Sequence, residues 1–71
     1  MTVWVLVHKV YYESTLVLGV FRSKAAGMKE FHTAVRECLD DIVTSDGVAE
    51  DTVWAGSANE VVVLRQYKVE G

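Results

Sequence analysis

The sequence predicts a small α+β domain of order β-β-α-β-β, in which a four-stranded, mostly antiparallel sheet carries one helix on one face. Three observations predict it. Two stretches rich in Val and aromatic residues, "VWVLVHKVYY" and "LVLGVF", open the chain, and such residues favour extended backbone. The middle of the chain has apolar residues at three- and four-residue spacing, the period of one helical face. A second pair of β-rich stretches, "TVWA" and "EVVVLRQYKV", closes it.

Each element follows from its residues. Residues 3–12 form the first strand, "YEST" turns the chain, and Leu16 to Phe21 return as the second strand. Ser23 stands at the N-cap position, where its hydroxyl can accept a bond from a free N–H of the first turn. From there Met28, Phe31, Val35, Cys38, Leu39 and Ile42 mark one face of a helix running from Lys24 to about Val43. "TSDG", residues 44–47, carries the turn chemistry that ends a helix, with Gly47 able to take a positive φ. A short strand from Thr52, a "GSAN" turn and a long strand from Glu60 to Val69 complete the order.

The chain has 71 residues, of which 51% are apolar and 24% charged, a globular composition. Such a chain buries only about 60% of the surface its unfolded form exposes, which makes it marginally stable. Neither a proline nor a linker-like stretch is present, so residues 1–71 read as a single domain. One cysteine, Cys38, leaves no intramolecular disulfide and suits a reducing compartment. The N-terminus lacks the pattern of a signal peptide, and the longest apolar run is far short of the roughly 20 residues of a membrane helix. These features predict a soluble, cytoplasmic protein.

One helix covers one face of a four-stranded sheet, not two. Yet both alternating sets of the first strand are apolar: Val3, Val5 and Val7 against Trp4, Leu6, His8 and Val10. The second strand repeats the pattern, with Val17, Gly19 and Phe21 against Leu16, Leu18 and Val20. The chain lacks the mass to cover the second face, so a second molecule is expected on it. Gly19 permits close approach of the helix, which favours its set, with Val17, Phe21 and the first-strand valines, as the inner one. Trp4, Leu6, His8, Leu16 and Leu18 then form the outer, self-associating face of a homodimer. In the alternative register Trp4 packs under the helix.

Chemistry is sparse by comparison. His32 and Cys38 stand six apart on the helix and point to different sides, and His8 lies alone in a strand, so neither a metal site nor a catalytic pair is predicted. Cys38 falls on the apolar stripe, where a thiol is an inert core group. His8 as a general base needs an orienting carboxylate and a nucleophile that no nearby motif supplies. The glycines are isolated, which excludes phosphate-binding loops, and "DDIVTSDGVAED" fails the spacing of a calcium loop. No cofactor and no enzymatic activity are predicted.

Charge is more informative. From Glu37 to Leu64 there are seven acidic residues, Glu37, Asp40, Asp41, Asp46, Glu50, Asp51 and Glu60, and neither Lys nor Arg. Asp40 and Asp41 fall in the predicted last helical turn, where the helix dipole disfavours a carboxylate by a few tenths to about 1 kcal/mol. Local stability does not select them. Glu37, Asp40, Asp41, Asp46, Glu50 and Asp51 therefore outline an acidic surface, either a solubilising one or one that engages a protein partner with a basic surface. The basic residues are scattered, which disfavours direct nucleic-acid binding; Arg65 and Tyr67 in "LRQYK" are the one local pattern able to stack and meet phosphate.

"VWVLVHKVY" followed by "LGVFRSKAAGMKEF" resembles the opening of a loosely defined group of small phage and bacterial proteins of unknown function. The matching positions are Val7, His8, Leu18, Gly19, Val20, Phe21 and Ser23, within about the first 31 residues. The resemblance implies the fold and an accessory phage protein that binds and inhibits a host protein. Together these readings point to a non-catalytic protein-binding module that dimerises through its sheet and meets a host protein through its acidic surface. Two alternatives stand beside it: an assembly protein whose role is self-association, and a small-molecule binder or enzyme using His8 and Tyr12.

Overall fold

The computed structural model describes residues 1–39 and 42–70. Among these, five strands and one helix follow the order β1 (Thr2–Val10), β2 (Ser14–Phe21), α1 (Lys24–Leu39), β3 (Ser45–Val48), β4 (Thr52–Gly56) and β5 (Glu60–Lys68). The strands form one antiparallel sheet in the order β2-β1-β5-β4-β3. The α+β class and single helix are as predicted; the sheet has five strands rather than four.

The two longest strands, β1 and β5, pair along their whole length in the middle of the sheet. Both are flanked by a strand on either side, and both read as Val-rich runs. Tight turns join the strands. Between β1 and β2, the Glu13 N–H donates to the Val10 carbonyl at 3.2 Å, and Tyr12 takes a positive φ of 70°. Between β4 and β5, the Ser57 N–H donates to the Glu60 carbonyl at 2.8 Å.

The helix starts where Ser23 predicts, since its Oγ accepts from the Ala26 N–H at 3.2 Å. Its described residues run to Leu39, and Ile42 and Val43, predicted to close it, lie outside the helix. Ile42, counted on the helical stripe, is exposed. Residues from Ser45 pair into the sheet: "SDGV" is edge strand β3, not a turn, and among the described residues no glycine has a positive φ. The physical reason lies across the sheet. Gly47 pairs with Trp54, and a Cβ at Gly47 would stand 2.5 Å from the indole Nε1, so glycine is required here for the ring to lie over the strand rather than for a turn.

The core lies between α1 and one sheet face: Trp4 and Leu6 of β1, Val53 and Ala55 of β4, Val62 and Leu64 of β5, with Phe31, Ala34 and Leu39 from the helix. This reverses the predicted assignment of faces. Trp4 and Leu6, predicted outside, are 6% and 2% exposed beneath the helix, because their bulk fills the space between the layers. The close approach is made by Gly27 of the helix, where a Cβ would meet Leu64 Cδ1 at 2.8 Å. Gly19 does lie on the helix side, but what it makes room for is the ring of Phe21, 2.7 Å from where its Cβ would be. Val17, expected beside Gly19, faces the other way, because the β1–β2 register shifts between Leu6 and Val7 and Leu18 is left unopposed.

Candidate functional site

Side chains directly opposite in an antiparallel pair share a face, so the register defines the side that α1 leaves open. Val7 pairs with Val17 and Val63, Val5 with Val20 and Arg65, Val3 with Tyr67, and Lys9 with Val61. On the next strand Trp54 pairs with Val63, and Thr52 with Arg65. The open face is thus a plate of seven valines and one tryptophan. Its charges are both basic: Lys9, its Nζ 5.9 Å from the Tyr11 ring, and Arg65, its Cζ 5.6 Å from the Tyr67 ring. No strand residue on this face is acidic.

The central valines are half-buried by their neighbours, while Val17 and Val20 on the edge strand are 57% and 60% exposed. Valine is stiff at χ1, so such a plate holds one shape.

Of the predicted self-association residues, Leu16 and Leu18 are exposed on β2, and Trp4 and Leu6 are buried. His8 also turns toward the helix side. Its Nε2 lies 2.9 Å from Glu60 Oε1, which supplies the carboxylate that sequence reasoning could not find, from a residue 52 positions away. Cys38 is close enough to Glu60 and Glu37 for both to oppose its ionisation. Burial, the larger effect, pushes the thiol up, and the two carboxylates push it further. That holds Cys38 protonated and makes it a poor nucleophile.

The acidic residues separate. Asp46 pairs with Ala55, level with His8 and Val62, on the end of the sheet that also carries Glu60 and, through Cys38, Glu37. Glu50 and Asp51 form the β3–β4 turn at the other end, where the Gln66 N–H donates to the Asp51 carbonyl at 2.8 Å. Asp40 and Asp41 lie outside the described residues.

Two smaller features complete the inventory. An open groove of about 350 Å³ runs between α1 and the β3–β4 edge, with Met28, Phe31, Val35 and Val53 as apolar walls and His32 and Asp46 beside them. Among the described residues no group of three or more His, Cys, Asp and Glu side chains is placed to hold a metal ion, and no helix is long and apolar enough to cross a membrane.

Sequence reasoning missed Val3, Val5 and Val7 as the open set. A signal was present in β5: Arg65 and Tyr67 share alternation with Val61 and Val63, and a cation in mid-strand belongs to the wet side. What was missing was the register that ties β1 to β5. Compared with known proteins, the chain matches no family model, no curated protein and no solved structure.

Proposed function

We propose that this chain is a non-catalytic protein–protein interaction module that self-associates through the open face of its sheet. The observation that carries the proposal is the plate of seven valines and Trp54 that α1 leaves uncovered. Exposed apolar surface of this continuity marks an interaction site. A second copy is the occupant that fits it. Five strands about 4.8 Å apart and about seven residues at about 3.3 Å span roughly 500 Å² in projection. Pleating raises the accessible area further, toward the roughly 800 Å² per partner of a standard interface. Two such plates stack about 10 Å apart with interdigitated side chains, as in a β-sandwich. Lys9 and Arg65 are long enough to lay their stems along the apolar surface and carry their charged ends to water.

Substituting Val63→Lys tests this, because Val63 sits between Val7 and Trp54 in the middle of the plate. In a free chain the lysine reaches water and the core behind the sheet is untouched. In the assembly it buries an unpaired charge. The expected result is an unchanged circular dichroism spectrum with a solution mass, by light scattering, half that of the wild type. A wild-type mass of 7.9 kDa at every concentration, or a variant of unchanged mass, would overturn the proposal.

A further inference from the structure

The two edges of the sheet differ in a way that the open face does not explain. Edge strands present unpaired N–H and C=O groups, and proteins blunt them with charge, proline, short length or bulges. The β3 edge follows that rule, with four residues that include Asp46 and Gly47. The β2 edge has eight residues, "STLVLGVF", with neither a charge nor a proline. Leu16 and Val17 on it are 58% and 57% exposed, and they point to opposite faces. Neither face of this half of β2 is therefore protected. The one protective device, the unopposed Leu18, disrupts the ladder beyond Val17 and leaves Ser14 to Val17 regular.

We infer that β2 is a second, independent interface, at which it pairs antiparallel with β2 of another copy across a two-fold axis, extending the sheet from five strands to ten. A copy of the same chain is the occupant because β2 brings no charge of its own: pairing it with itself sets no like charges opposite each other and matches apolar side chains on both faces. The register is also constrained. Opposed residues must share a face, and Ser14 and Leu16 lie on the helix side, as does Leu18, which lines a cleft with Leu6 and Ala34; Thr15 and Val17 lie on the open side. An axis through Leu16 satisfies this, setting Leu16 against its own copy, Thr15 against the second copy's Val17 and Ser14 against its Leu18. An axis through Val17 does not, since it sets Thr15 against Gly19 on the other face.

The inference does not rest on the proposed use of the open face, and the two fail separately. Leu16→Lys places a charge on the edge without touching the plate, and is expected to halve the solution mass; Leu16→Lys combined with Val63→Lys is expected to be a folded monomer. An unchanged mass for Leu16→Lys overturns the edge interface. If Val63→Lys keeps the wild-type mass while Leu16→Lys halves it, the face reading falls and the edge stands. In case the lysine unfolds the chain, Leu16→Cys is made in a Cys38→Ser background and oxidised. The two-fold register places its thiols directly opposite each other, within disulfide reach, so a covalent dimer is expected. Val20→Cys is equally exposed but beyond the ladder and belongs to the open face, so both cysteine variants also carry Val63→Lys to keep the plates apart. Val20→Cys is then expected to give no covalent dimer under the same oxidation. Equal cross-linking at both positions overturns the register and the interface with it.

Discussion

At the scale of single residues, Tyr12 holds a conformation its chemistry disfavours. A φ of 70° is the left-handed region, which costs a residue with a Cβ roughly 1–2 kcal/mol. The side chain is fully exposed and packs against nothing that would offset this. Tyr12→Asn, whose short amide tolerates this region, is therefore expected to stabilise the fold by up to about 1 kcal/mol, read as a higher urea midpoint at unchanged slope. A lower midpoint would show that the ring contributes something the exposed position hides. Cys38 makes the opposite kind of case, a group quieted by its surroundings. With its ionisation opposed by burial, Glu60 and Glu37, the thiol is expected to react with iodoacetamide at neutral pH more slowly in the native chain than in the same chain in urea. The sign for stability follows: a raised native value means the thiolate is favoured in the unfolded chain, so this contribution is intact at neutral pH and is lost as pH rises through the thiol range.

At the scale of elements, α1 was legible at its start and not at its end. Ser23 is a local signal, and its hydroxyl caps Ala26 as the sequence implies. Ser23→Ala should cost about 1 kcal/mol, measured by thermal unfolding, with Ser23→Asp restoring most of it; no loss would mean that packing of Phe31 and Ala34 alone holds the first turn. The end was decided by competition. Residues after Leu39 have helix-like spacing, yet those from Ser45 pair with β4, because a strand edge offers a ladder of backbone bonds and a seat for Gly47 under the Trp54 ring. Turn chemistry is read from four residues; strand pairing is read from two distant segments.

At the scale of the whole molecule, two layers leave one apolar face without cover, so any association through that face would be coupled to stability. If copies associate only when folded, association adds to stability by mass action. The wild type should then melt at a temperature that rises with protein concentration, whereas the combined Leu16→Lys and Val63→Lys variant should melt at a fixed one. A concentration-independent wild-type transition would show that the plate is tolerated by an isolated chain. The acidic residues illustrate how sequence clusters mislead at this scale. Glu37 and Glu50 are close along the chain, but the strand between them carries the second to the far end of the sheet. They do not form one surface.

By itself the sequence determined the α+β class, the position of every long element, the capping of the helix and the presence of an apolar face too many. These depend on local propensity and on alternation, which neighbouring residues carry. Only the tertiary structure decided which face that was, the existence of β3 and the meeting of His8 with Glu60. The reason is one of register: strand alternation has a period of two, so a one-residue slip exchanges the faces completely. Nothing within "VWVLVHKVYY" chooses between its two sets of side chains. The choice was made by β5 lying beside it, by the unopposed Leu18, and by Gly27 bringing the helix down onto Leu64.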